Sequence, residues 1–264
     1  LDEAALEGAS CTGAGVLQEK NEKLGDTLNA RTFAMAEKSG LPLMTICSTC
    51  QGVMAQANER LTSDSDYLES INEVLREEGL EYKGTIEPKH LLWVIAEDLG
   101  IDFLKSKIVR TLDGMKLAPF YGCYIVRPSK ALGLDVNPDR KQALEEVIEA
   151  VGGEVADFPG KTLCCGFPIL TINPENSLKM VSNHTLDAKR NGADAMVTPC
   201  PLCHLNLDGY QPKAAASVKQ DIDLPIIHLP QLVGLALGIK PEDMRLNKHI
   251  VSTKKLLSEL AVSP

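Results

Sequence analysis

The sequence has no run that approaches 18 consecutive apolar residues, so no segment is expected to cross a membrane. It also lacks an excess of positive charge: the net charge is −9, and lysine and arginine are scattered along the chain. We therefore expect no nucleic-acid partner. The first ten residues do not follow the pattern of a signal peptide, which favours a cytoplasmic protein.

The rest of the composition is that of a globular protein. The chain has 264 residues, of which 44% are hydrophobic and 24% charged, and this length is sufficient for two packed lobes. Eight cysteines are present. A disulfide framework is disfavoured, because a chain of this size needs no covalent links and the cytosol keeps thiols reduced. Clustered thiolates instead indicate a zinc or iron–sulfur site.

The cysteines form a pattern that occurs twice. Cys47 and Cys200 are 153 residues apart (200 minus 47), and the same spacing separates Cys50 from Cys203, Cys11 from Cys164 and Gly13 from Gly166. The copies differ at two places: Thr12 stands where the second copy has Cys165, and Cys123 has no counterpart. One duplicated site therefore accounts for all the cysteines except Cys123 and Cys165.

The spacing also predicts a missing segment. A counterpart of Cys123 would lie at position −30 (123 minus 153), before Leu1. A complete first lobe would need roughly 30 to 40 more residues, with a strand, a turn bearing the absent cysteine and most of a helix. We therefore expect the sequence to be short at its N-terminus.

Hydrophobic periodicity and glycine or proline stops predict alternating strands and helices. Helices are predicted at 16–38, 51–61, 67–78, 89–99, 140–151, 178–190, 202–209 and 230–237. Strands are predicted at 41–46, 116–122, 154–158, 194–198 and 224–228. This order predicts an α/β fold with small parallel sheets in two pseudo-symmetric lobes, at 1–110 (first lobe, incomplete, with a helical connection) and 111–264.

Each CxxC pair is predicted to follow a strand and to begin a helix. The free N–H groups and partial positive charge of a helix N-terminus favour thiolates and anionic clusters. Cys200 to His204 also spells the haem-attachment pattern CxxCH, but haem would leave Cys123, Cys164 and Cys165 without a role. Structural zinc in both lobes is the stronger alternative, although zinc takes four ligands and the second lobe has five thiols.

Beyond the cysteines, three segments resemble a known family. The segments FYGCYIVRPSK (120–130), CCGFPILTIN (164–173) and TPCPLCHLNLD (198–208) are similar to the B subunit of heterodisulfide reductases, which contains two cysteine-rich CCG modules. The resemblance implies an oxidoreductase subunit that is active only within a complex. Its partners would be a small cubane iron–sulfur subunit, a flavoprotein subunit, and a thiol, disulfide or protein-bound sulfur carrier.

The resemblance also implies the cofactors. In the second lobe, a noncubane 4Fe–4S cluster would be held by five thiols: Cys123, Cys164, Cys165, Cys200 and Cys203. Thr12 is a poor substitute for a thiolate, because iron–sulfur sites prefer sulfur. The first lobe would therefore bind zinc or a 4Fe–4S cluster through Cys11, Cys47 and Cys50. The sequence assigns no catalytic side chain.

Two alternative functions stay open. The chain also resembles the cysteine-rich subunit of anchorless succinate or fumarate:quinone reductases, and it could be a scaffold with structural metals. In the first case, the amphipathic segment 90–104 would contact a membrane peripherally, although burial in the core suits its apolar face better.

Certain other residues are expected to assist the cluster. His204 would donate a hydrogen bond to a cluster sulfur, and Arg127 and Lys130 would attract an anionic substrate. Gly13 and Gly166 would let the backbone approach the cluster closely.

Overall fold

The computed structural model describes residues 4–260. The first part of the chain contains a 3₁₀ turn (Gly13–Gly15), α1 (Val16–Lys20), α2 (Glu22–Ser39), β1 (Met44–Thr45), α3 (Ser48–Ser63), α4 (Ser65–Leu75), a second 3₁₀ turn (Arg76–Glu78) and β2 (Lys89–His90). α5 (Leu91–Trp93), a π-helical segment (Val94–Gly100) and α6 (Ile101–Lys107) connect it to the second part.

The second part has the same general plan with a larger sheet. It contains β3 (Lys116–Pro119), α7 (Ala143–Ala150), β4 (Glu154–Val155), α8 (Pro174–Arg190), β5 (Ala195–Thr198), α9 (Pro201–Gly209), α10 (Gln211–Val218), β6 (Ile226–His228), α11 (Leu229–Ala236) and α12 (Lys254–Glu259). Short 3₁₀ turns lie at Pro138–Lys141, Phe167–Ile169 and Leu246–Lys248.

Both sheets are parallel. β1 pairs with β2, and the four-stranded sheet has the order β4-β3-β5-β6. Thr45 lies opposite His90 in the first sheet, and Thr198 lies opposite His228 in the second. The α/β class and its small parallel sheets are therefore confirmed.

The predicted helices and strands are mostly present, with altered bounds. The predicted helix 16–38 is two helices, because Asn21 is non-helical and caps α2 by accepting a hydrogen bond from the N–H of Leu24. The predicted helix 89–99 was wrong at its start: Lys89 and His90 form β2, and the side chain of His90 then caps α5. Pairing with a distant strand decided that conformation, and periodicity does not report such pairing.

Three hydrophobic cores stabilise the fold. One lies among the helices of the first part around Phe33, and a second lies behind the sheet of the second part and includes Cys165, Cys200 and Cys203. The third and largest joins both parts, since it contains Trp93 together with Leu117. The apolar residues of segment 90–104, including the 1% exposed Trp93, pack mainly into this shared core, as the sequence favoured.

Candidate functional site

Both CxxC motifs are positioned in the same way. Cys47 follows β1 and caps α3, while Cys200 follows β5 and caps α9, with nearly identical extended backbone angles. In each lobe the threonine that ends the strand accepts a hydrogen bond from the cysteine amide: Thr45 from Cys47 (3.1 Å) and Thr198 from Cys200 (3.3 Å). The duplication that the spacing predicted is therefore visible in the backbone.

The two motifs meet at one place. The Sγ atoms of Cys47 and Cys200 are 4.0 Å apart, and the hydroxyl of Thr49 lies 3.4 Å from Sγ of Cys200. Sequence reasoning missed this contact, because it joins positions 151 and 153 residues apart through the packing of the two lobes. The first lobe thus contributes directly to the surroundings of the second-lobe thiols.

A pocket lies where the thiols converge. Its lining includes four of the five second-lobe cysteines together with residues of the first lobe: Ala14, Ser48, Thr49, Tyr121, Cys123, Tyr124, Cys165, Phe167, Pro168, Cys200, Leu202 and Cys203. Cys164 is adjacent, because Cys123 is the neighbour that most strongly affects its pKa. The pocket lies beyond the carboxyl ends of parallel strands, where open α/β sheets bind ligands.

The electrostatics of the five thiols favour two of them as thiolates. Hydrogen bonds from Cys123 and then Cys165 lower the pKa of Cys164 to about 2. Hydrogen bonds from Cys203, Cys47 and Thr49 hold the pKa of Cys200 well below its ordinary value. The donating thiols Cys123 and Cys203 have raised pKa values for the same reason.

The first-lobe thiols are less concentrated. Hydrogen bonds from Cys47 and then Thr12 outweigh burial and lower the pKa of Cys50 to about 7. Thr12, which replaces the paired cysteine, donates its hydroxyl to Sγ of Cys50 at 3.5 Å. Cys11 is exposed, and its sulfur accepts a hydrogen bond from the amide of Gly13 (3.4 Å).

The turn that contains Cys164 and Cys165 is held by side chains that the sequence did not single out for this role. His184 contacts the carbonyl of Cys164 through Nε2 (2.9 Å), and the amide of Asn206 donates to the carbonyl of Cys165 (2.8 Å). The amide of Gly166 donates to Sγ of Cys164 (3.4 Å), just as Gly13 does to Cys11. These backbone contacts fix the direction of both thiols.

Another glycine, not Gly13 or Gly166, adjoins a thiol most closely. A Cβ at Gly122 would lie 2.9 Å from Sγ of Cys203, and the residue has a φ of +71° that favours glycine. At Gly13 and Gly166 a Cβ would instead meet Leu17 and Ser177. Positive φ is not visible in the sequence, so the position of Gly122 beside Cys123 was the available signal.

The charged residues expected near the site have other partners. Arg127 donates to the carbonyl of Thr162 (2.7 Å), and Lys130 pairs with Glu59 (2.6 Å). Neither of them lines the pocket. The interpretation that they attract a substrate therefore has no support from the geometry.

His204 contacts the carbonyl of Ile226 (3.1 Å) and not a cysteine sulfur. With Asp208 and His249 it forms a group whose potential ligand atoms lie within 4.8 Å of one another. However, both carboxylate oxygens of Asp208 accept hydrogen bonds from the backbone amides of residues 250 and 251. These contacts give the group a structural explanation, because they attach the C-terminal loop to α9.

The chain was compared with known proteins. The pattern of the family described as CCG, cysteine-rich domain, matches residues 3–55 and 117–208. The 8-methylmenaquinol:fumarate reductase membrane anchor subunit of Wolinella succinogenes is 38% identical over 253 residues, which are 95% of this chain and 87% of that protein. None of the helices within residues 4–260 is long and apolar enough to span a bilayer.

Two further similarities agree with this. The B subunit of the ferredoxin/F(420)H(2)-dependent CoB-CoM heterodisulfide reductase of Methanosarcina acetivorans is 32% identical over 263 residues, covering 98% of this chain and 87% of that protein. A crystal structure of a hypothetical protein from Helicobacter pylori has a TM-score of 0.72 at 20% identity, covering 88% of this chain and 42% of that chain, and supports the fold alone. The chain therefore belongs to the CCG cysteine-rich family, and within it to the group of heterodisulfide reductase B subunits.

Proposed function

We propose that this chain is an iron–sulfur redox subunit of a heterodisulfide-reductase-like complex, and that its second lobe holds a noncubane 4Fe–4S cluster. The ligands would be Cys123, Cys164, Cys165, Cys200 and Cys203. The observation that supports this proposal is the arrangement of four of those thiols around one pocket, with Cys164 adjacent to Cys123.

The donor set fits such a cluster. Thiolates are the ligands that select zinc or iron–sulfur centres, and five of them exceed the tetrahedral four of zinc. Cys165, Cys200 and Cys203 are buried, so a cluster there would be shielded from water. The Gly122 position supports the same interpretation, because a side chain at that residue would press against Cys203.

When bound, the cluster would supply electrons to, or accept them from, a sulfur substrate. Reduction of a disulfide consumes two electrons and two protons and yields two thiols, and oxidation of thiols is the reverse. The electrons would pass through a small cubane iron–sulfur subunit and a flavoprotein subunit. The chain itself would provide the thiolate ligands and a pocket wall of Tyr121, Phe167 and Leu202 that limits water.

For the first lobe we propose zinc or a 4Fe–4S cluster bound through Cys11, Cys47 and Cys50. The hydroxyl of Thr12 occupies the hydrogen-bonding position beside Cys50. Since a hydroxyl is a poor ligand for iron in such centres, a second noncubane cluster is not proposed.

A second candidate function is favoured by one comparison. The Wolinella succinogenes relative has a higher identity, 38%, than the Methanosarcina acetivorans relative, at 32%, and it is a subunit of a fumarate reductase. The alternative is therefore the cysteine-rich, membrane-associating subunit of an anchorless succinate or fumarate:quinone reductase. Either complex would work in the cytoplasm, the second at the membrane surface.

Metal analysis of anaerobically purified protein tests the main proposal. We expect about four irons and about four acid-labile sulfides in the second lobe. Cys165→Ser should lose this iron, whereas the matched variant Cys11→Ser should keep it. Protein with zinc alone, or a Cys165→Ser variant with unchanged iron and absorption spectrum, would contradict the proposal and favour a structural metal scaffold.

The partner subunits distinguish the two candidate complexes. Purification of the native complex, followed by mass spectrometry, should recover a flavoprotein and a small cubane iron–sulfur subunit. Activity with a disulfide would support the main proposal, and activity with fumarate or succinate and a quinone would support the alternative.

A further inference from the structure

The pocket contains a hydroxyl without a partner. Ser48 is the first residue of α3 and is only 1% exposed, and its Oγ makes no hydrogen bond within the described residues 4–260. It lines the pocket together with Cys123, Cys200 and Cys203. A buried hydroxyl without a hydrogen bond is unfavourable, so its position points to an acceptor that occupies the pocket.

The backbone around Ser48 also favours an anion. α3 is 16 residues long, and its first intrahelical bond is from the amide of Gln51 to the carbonyl of Cys47. The amides of the first three helical residues therefore have no partner within the helix, and the helix dipole adds partial positive charge at this end.

The hydroxyls are specific to the first lobe. The positions equivalent to Ser48 and Thr49 in the second lobe are Pro201 and Leu202, neither of which can donate a side-chain hydrogen bond. Thr49 already has a partner in Sγ of Cys200, at 3.4 Å. Ser48 is thus the donor that stays available when the two lobes are packed together.

We propose that Ser48 and the N-terminus of α3 form a subsite that binds an anionic sulfur atom in the pocket. The acceptor is either a thiolate or persulfide substrate, or a sulfur of the cluster itself. This inference rests on the proposed function, since it requires sulfur chemistry in the pocket. It makes Ser48 a binding residue supplied by the first lobe to the site of the second.

Binding of a simple thiolate tests this subsite. Cluster-loaded Ser48→Ala, Ser48→Thr and Ser182→Ala proteins would be titrated with ethanethiol, and binding followed by absorption and electron paramagnetic resonance. Ser182 is a fitting control, because it is fully buried and its hydroxyl already bonds the carbonyl of Lys179. We expect Ser48→Ala to bind ethanethiol about tenfold more weakly, since a hydrogen bond to a charged group is lost.

The variants with a hydroxyl at position 48 and the control should behave like the parent protein. The midpoint potential without thiol identifies the acceptor. An unchanged potential with weaker thiol binding assigns the acceptor to the substrate, whereas a more negative potential in Ser48→Ala assigns it to a cluster sulfur. Unchanged binding and unchanged potential would overturn the inference.

The metal content of the same samples separates this inference from the proposed function. Protein that contains no iron would overturn both. Protein that contains the full cluster, but whose Ser48→Ala variant behaves like Ser182→Ala, would overturn only the subsite.

Discussion

The contact between the lobes depends on Gly52, which gives a sharp test of the structure. Gly52 is a buried residue within α3, and a Cβ at this position would lie 2.4 Å from the carbonyl oxygen of Tyr124 and 2.6 Å from its Cδ1. Tyr124 directly follows Cys123. An added methyl group would therefore push α3 away from the loop that contains a proposed ligand.

Two opposing effects set the expected change in stability for Gly52→Ala. Alanine in a helix interior is favoured over glycine by about 1 kcal/mol. Overpacking of a well-packed site costs about 1–3 kcal/mol, and this clash involves backbone, so the upper end applies. We expect a net destabilisation of about 2 kcal/mol, which lowers the midpoint of thermal unfolding by about 4–8 °C in a protein of this size.

The control is another helical glycine. A Cβ at Gly209, at the end of α9, would meet no atom within 4 Å. Gly209→Ala should therefore leave the melting temperature unchanged or raise it by about 2–4 °C. Circular dichroism on heating measures both variants. If Gly52→Ala were as stable as the parent protein, the close packing of α3 on Tyr124 would be refuted.

Three further variants test other contacts. Arg60→Met should destabilise the protein by about 3 kcal/mol in urea titrations, because it leaves the fully buried carboxylate of Asp26 without its bidentate partner; a loss under about 1 kcal/mol would contradict this. Burial lowers the pKa of His90 from 6.5 to about 4, so the unfolded chain takes up a proton that the folded chain does not as pH falls from about 6.5 to about 4. Stability should decrease over that range, and His90→Asn should show a shallower decrease, whereas an equal slope would exclude His90 as a cause. Asp208→Asn should cost about 1 kcal/mol while bound metal stays constant, because the aspartate anchors a loop; loss of a metal ion would instead show that its group is a metal site.

The sequence was most informative where a repeat could be compared with itself. The common spacing of Cys47 with Cys200 correctly indicated two strands that end at equivalent helix N-termini. It did not indicate that the two sulfurs lie 4.0 Å apart, because that distance depends on how the lobes pack. The short strand β2 was missed for a similar reason, since its two residues are extended only through pairing with β1.

The surroundings of the thiols were less predictable than the thiols. Cysteine has a restricted set of roles, so eight of them in a repeated pattern carried a strong signal. Ser48 and Asn206 are common residue types, and their importance arises from burial and from contacts made by folding. Arg127 and Lys130 show the opposite error, since proximity in sequence to Cys123 did not bring their charges to the pocket.

The largest core contains Trp93 from one part of the chain and Leu117 from the other. Descendants of a gene duplication often stay separable, so that one copy can be exchanged or lost without harm to its sibling. Here a substitution that suits one copy must also suit residues inherited by the other. The two copies are thus bound to evolve as one unit, even though their chemistry has already diverged at Thr12 and Cys165.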